Sequence, residues 1–114
     1  MCLSREEFDA LVEQAVAQLP KAFRDKLTNV AILVEDVPPA HSRRGDLLMG
    51  IFHGVPMTEK SSFQTALPDR IVIYQRNIEA VCRSTKEVRR EIRLTLLHEL
   101  GHFFGLSEDD LQDI

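Results

Sequence analysis

The 114-residue chain is 44% hydrophobic and 28% charged, with a formal net charge of −4. That is the composition of a soluble globular protein, and the length predicts one domain spanning residues 1–114, with no room for a separate substrate domain. The acidic balance excludes a nucleic-acid surface built on bulk positive charge, and no apolar run approaches the length of a membrane span.

The amino terminus, MCLSREEFDALV, has no apolar core of the kind a signal peptide needs. Cys2 and Cys82 form no C-x-x-C pair and read as two reduced thiols, Cys82 as a small buried hydrophobe. These features together predict a cytoplasmic protein.

Ser4-Arg5-Glu6-Glu7 reads as a capping box with Ser4 as N-cap. After it Phe8, Leu11, Val12, Ala15, Val16 and Leu19 recur at helical spacing until Pro20 stops or kinks the helix. A turn or two of helix is expected around Lys21 to Lys26. Val30 to Glu35 (VAILVE) reads as a short buried strand, followed by a loop from Asp36 to Asp46. Leu47 to Gly54 (LLMGIFHG) is a second strand with Gly50 as a candidate bulge. The stretch Val55 to Asp69 is the longest irregular segment, and Arg70 to Gln75 (RIVIYQ) is a third strand. A short helical segment is expected at about Ile78 to Cys82.

Ser84-Thr85-Lys86-Glu87 repeats the capping-box pattern and opens a last long helix. Its expected apolar positions are Val88, Ile92, Leu94, Leu96, Leu97 and Phe103, and Gly105 is placed to end it. Phe103 and Phe104 are expected to anchor its end. Arg89, Arg90 and Arg93, interleaved with Glu87 and Glu91, read as a solvated face. The order helix, strand, strand, strand, helix predicts a small α+β domain in which helices cover a three-stranded sheet.

Near the end of that helix stands His98-Glu99-Leu100-Gly101-His102, an H-E-x-x-H motif. Residues four apart share a helical face, so two imidazoles there can converge on one zinc ion at Zn–N distances of about 2.0–2.1 Å. Glu99 points about 100° further round the helix, where it can reach a metal-bound water without ligating the metal. Zinc lowers the pKa of such a water toward about 7, and a neighbouring carboxylate can act as general base for attack on a carbonyl carbon.

Such a zinc needs a third protein ligand. Twelve residues follow His102 in this sequence, and a ligand on a further downstream helix is not expected. Gly105 follows His102 by three residues and Glu108 follows Gly105 by three, giving H-E-x-x-H-x-x-G-x-x-E. Metzincins carry a third histidine at that place, and a carboxylate can serve instead. Gly105 can adopt positive φ and turn Glu108 back toward the metal. Asp109 is the alternative third ligand and Asp110 a further rival, each otherwise part of a solvated acidic tail.

The sequence resembles the minimal zincin family, small bacterial zinc metallopeptidases. The likeness includes NVAILVED, LLMGIFHGVP, ALPDRIVIYQRNI and the terminal HELGHFFGLSEDDL, in the family's order over most of the chain. The resemblance implies a stripped-down zincin fold with a short mixed sheet, a C-terminal active-site helix, and an acidic ligand after the glycine. It carries over to His98, Glu99, His102 and Glu108. The chain departs from full metzincins in lacking the third histidine and the methionine turn; Met49 and Met57 read as core or loop residues.

Three side chains are candidates to stabilise the oxyanion of a tetrahedral intermediate: Tyr74, Arg70 and His53. Each also has an ordinary reading, as core residue, surface charge and loop residue respectively. His41 has no assigned role. By analogy with the fold, LLMGIF is the candidate edge strand for a peptide, with Thr58 to Ala66 as a cleft wall.

The expected activity is zinc-dependent peptide hydrolysis on a peptide or protein substrate, with a shallow cleft that a protein partner or second copy could complete. No nucleic-acid or membrane partner is expected. The alternative is a non-catalytic metal-binding interaction or regulatory module, although a purely structural site has no use for Glu99. A repressor-cleaving protease is a third reading, but no DNA-binding segment accompanies the motif.

Overall fold

The computed structural model describes residues 2–27, 30–39, 48–54 and 69–103. The elements are α1 (Arg5–Ala17), α2 (Lys21–Lys26), β1 (Val30–Glu35), β2 (Gly50–His53), β3 (Asp69–Tyr74), α3 (Gln75–Ala80) and α4 (Thr85–Phe103). The expected loop from Val55, the cleft wall, His41, Met57, Gly105, Glu108, Asp109 and the side chains of Phe103 and Phe104 lie outside the described residues.

The capping box of α1 is formed in both directions. Ser4 Oγ accepts from Glu7 N, and Glu7 Oε1 accepts from Ser4 N, each at 3.1 Å. Phe8, Leu11, Val12 and Ala15 are the buried stripe of this helix. Pro20 separates α1 from α2 and caps the latter, its carbonyl accepting from Phe23 N and Arg24 N.

The sheet order is β1-β3-β2, with β1 parallel and β2 antiparallel to the central β3. It is therefore the short mixed three-stranded sheet expected. β3 has a strand on each side, and Ile71, Val72, Ile73 and Tyr74 are all buried. β1 differs from the buried strand expected. It is an edge strand in which Val30, Ile32 and Val34 turn inward, whereas Ala31, Leu33 and Glu35 are exposed, Leu33 by 44%. A strand with one neighbour and one covered face shows the period-two pattern that its sequence does not advertise.

Gly50 is not a bulge, because its pairing with Ile73 begins an uninterrupted register through His53 and Arg70. Its role is close packing. A Cβ there would stand 2.6 Å from Thr95 Cγ2 on α4 and 3.1 Å from the Val72 carbonyl. Gly54, at φ 154°, is in a backbone region that favours glycine, and a Cβ there would run into the Asp69 carboxylate.

The short helix after β3 begins at Gln75, three residues before the expected start. Gln75 is buried with its amide satisfied: Oε1 accepts from Arg5 Nε at 2.8 Å, and Nε2 donates to Leu3 O and Glu79 Oε2, both at 3.0 Å. Cys82 is a free, buried thiol, as expected, and its burial, with Glu91 and Glu87 nearby, raises its pKa. Cys2 is also free.

At the start of α4, Ser84 Oγ accepts from Glu87 N at 3.2 Å, but the Glu87 carboxylate takes Arg83 N at 2.6 Å instead of closing the box. Val88, Ile92, Leu96 and Leu100 are fully buried and pack with the α1 stripe, Ile71 and Ile73. Leu94 is 36% exposed, correcting its placement among the core positions. It lies about 200° round the helix from Ile92 and Leu96. Burying each such Leu or Ile contributes about 1.5–3 kcal/mol, so this stripe sets the rotation of α4 about its axis. That rotation decides where the histidines of its last turns point.

Candidate metal centre

His98, Glu99 and His102 occupy the last two turns of α4. With Leu96 and Leu100 facing the core, His98 and His102 are half-buried on the flank of the helix. Their ring centroids are 5.1 Å apart and the rings are nearly perpendicular, at 76°. One ligand atom from each histidine and one carboxylate oxygen of Glu99 lie within 4.8 Å of one another. Glu99 Oε2 is 4.0 Å from His102 Nε2. Two imidazole nitrogens converging beside a carboxylate are a nitrogen and oxygen donor set that suits zinc.

Glu99 is only 8% exposed. A carboxylate so placed costs free energy unless hydrogen-bonded, and here Phe52 N on β2 donates to Glu99 Oε1 at 2.7 Å. The site therefore spans two elements. α4 carries the side chains, and the edge strand β2 packs on α4 and holds the carboxylate.

Tyr74, Arg70 and His53, the candidate oxyanion stabilisers, lie on the face of the sheet turned away from α4. Side chains alternate along a strand. Ile71 and Ile73 face α1 and α4, so Arg70, Val72 and Tyr74 turn to the other face of β3. His53 pairs with Arg70 and shares that far face. Tyr74 pairs with Glu35, and burial followed by the Glu35 charge raises its phenol pKa. An open cleft of about 530 Å³, floored by Val12, Val16, Ile32 and Val34, lies between α1 and β1. It belongs to the opposite sheet edge and shares no residue with the histidine pair.

Sequence reasoning missed the Phe52 amide. A main-chain donor leaves no residue signature, and the only clue was the placement of LLMGIF as the strand beside the active-site helix.

The profile of the zincin-like metallopeptidase family matches residues 27–114. Among solved structures, the chain is similar to a conserved hypothetical protein from Thermo thermophilus. The identity is 26%, the alignment covers 90% of this chain and 94% of that one, and the TM-score is 0.62. No curated protein matches the sequence.

Proposed function

The chain belongs to the zincin-like metallopeptidase family, and on that premise we propose that it is a zinc-dependent peptidase of the cytoplasm. The observation that carries the reading is the convergence of His98, Glu99 and His102 on one flank of α4. His98 and His102 would hold the zinc ion, with Glu108 as third ligand and Asp109 as its alternative. When bound, the metal supplies Lewis acidity, lowering the pKa of a water toward about 7 and polarising a substrate carbonyl.

Glu99 does the proton work. Its Oε1 accepts from Phe52 N, and Oε2, on the His102 side, takes the proton from the attacking water. The same oxygen then delivers that proton to the leaving amine. The substrate is a short peptide or one exposed protein segment, unless a partner protein or a second copy completes the cleft. No helix among the described residues is long and apolar enough to cross a membrane.

The hydrogen bond from β2 also suits a second reading, a metal-binding module without turnover in which Glu99 ties the helix to the sheet. Glu99→Gln separates the two. It keeps size and hydrogen bonding but removes the base. The peptidase reading expects zinc binding and fold to survive while cleavage of a peptide library disappears. Cleavage that persists in the variant excludes Glu99 as the base, and a zinc-loaded wild type that cleaves nothing favours the module.

A further inference from the structure

We infer that the main-chain N–H of Phe52 is a positioning group for Glu99, so that the edge strand β2 takes part in aiming the base. This rests on the peptidase reading above. The strand register supports it. Met49 O accepts from Tyr74 N at 2.9 Å, so residue 49 turns its main-chain groups toward β3. In an antiparallel ladder the groups of Ile51 and His53 do the same, and those of Gly50 and Phe52 face the outer edge. An outward N–H on an edge strand normally meets solvent. The Phe52 N–H instead meets Glu99 Oε1 at 2.7 Å, a length typical of a charge-assisted bond.

The strand is also seated so that this distance is held. Gly50 packs against Thr95 with no room for a methyl group between them. Phe52 itself packs partly buried against the core. The two carboxylate oxygens thereby have different surroundings: Oε1 is anchored to the sheet, and Oε2 stands 4.0 Å from His102 Nε2. An alanine scan would not detect the donor, because every residue except proline supplies it.

The test removes the N–H. Incorporating phenyllactic acid at position 52 exchanges the amide for an ester and keeps the ring. Phe52→Pro is a second route, tolerated where the N–H faces away from the ladder, and Phe52→Leu controls for loss of the ring. In the metal-free protein, amide exchange at Phe52 should be slow in the wild type and at least about tenfold faster in Glu99→Ala, with Ile51 and His53 unchanged. In the zinc-loaded protein, the ester should lower kcat about tenfold or more on a peptide that the wild type cleaves. KM and zinc stoichiometry should be unchanged, and Phe52→Leu, which keeps the N–H, should lose less of kcat than the ester.

Fast exchange at Phe52 in an active wild type, or an ester variant with undiminished kcat, overturns the positioning claim alone. A protected Phe52 in a zinc-loaded wild type that cleaves nothing overturns the peptidase reading and reduces the bond to a structural tie.

Discussion

Replacing Gly50 by alanine should loosen the joint between α4 and β2. The added Cβ would meet Thr95 Cγ2 at 2.6 Å and the Val72 carbonyl at 3.1 Å. Neither neighbour yields easily: the second is backbone in the central strand, and the first is a β-branched side chain with a stiff χ1 on a packed helix. Overpacking of this kind costs about 1–3 kcal/mol. Alanine also recovers about 0.4–1 kcal/mol by restricting the unfolded chain, since among the described glycines only Gly54 has positive φ. The clash outweighs this, leaving a net loss of about 1–2 kcal/mol. Urea unfolding followed by far-ultraviolet circular dichroism measures it, and Thr95→Ser, which deletes only Cγ2, identifies the cause. The double variant should recover more than about 0.5 kcal/mol relative to additivity. A Gly50→Ala protein as stable as the wild type, or an equal loss in both Thr95 backgrounds, would refute the close packing inferred here.

Two further outcomes follow from the core and the first cap. Leu96 is fully buried and Leu94 is 36% exposed on the same helix; Leu96→Ala should cost about 2–5 kcal/mol and Leu94→Ala no more than about 0.5 kcal/mol in the same urea assay. The backbone N–H of Ser4, and then its hydroxyl, hold the Glu7 carboxyl below its ordinary value of 4.5. Its contribution to stability is therefore present above about pH 4.5 and is lost as pH falls through the lower folded value. Glu7→Gln keeps a capping side chain but not the charge, so its acid-unfolding curve should be flatter than the wild type's below about pH 4.5.

Local signals were legible where the chain interacts with itself at short range. The Ser4 capping box, the break at Pro20, the bounds of β1 and the H-E-x-x-H helix all rest on contacts within a few residues. What could not be read was set by which strand lies next to which, and by which face the helices cover. VAILVE looks buried, yet its place at the edge exposes Leu33. Tyr74, Arg70 and His53 are plausible polar neighbours until strand alternation turns them away from α4. Gly50 looks like a bulge until the approach of Thr95 supplies another reason for it. Leu100 was overlooked as a core residue because it sits inside the metal motif. The same reasoning holds for the site: the histidine pair and Glu99 carry a spacing, whereas the donor that holds Glu99 is a main-chain group on a strand distant in sequence.

The central claim is that His98 and His102 hold a zinc ion. Metal content with stoichiometry, on protein purified without chelator and alongside His98→Ala, tests it most directly. The wild type should carry about one zinc per chain, and the variant should lose it. No metal, together with no uptake when zinc is supplied, would contradict it.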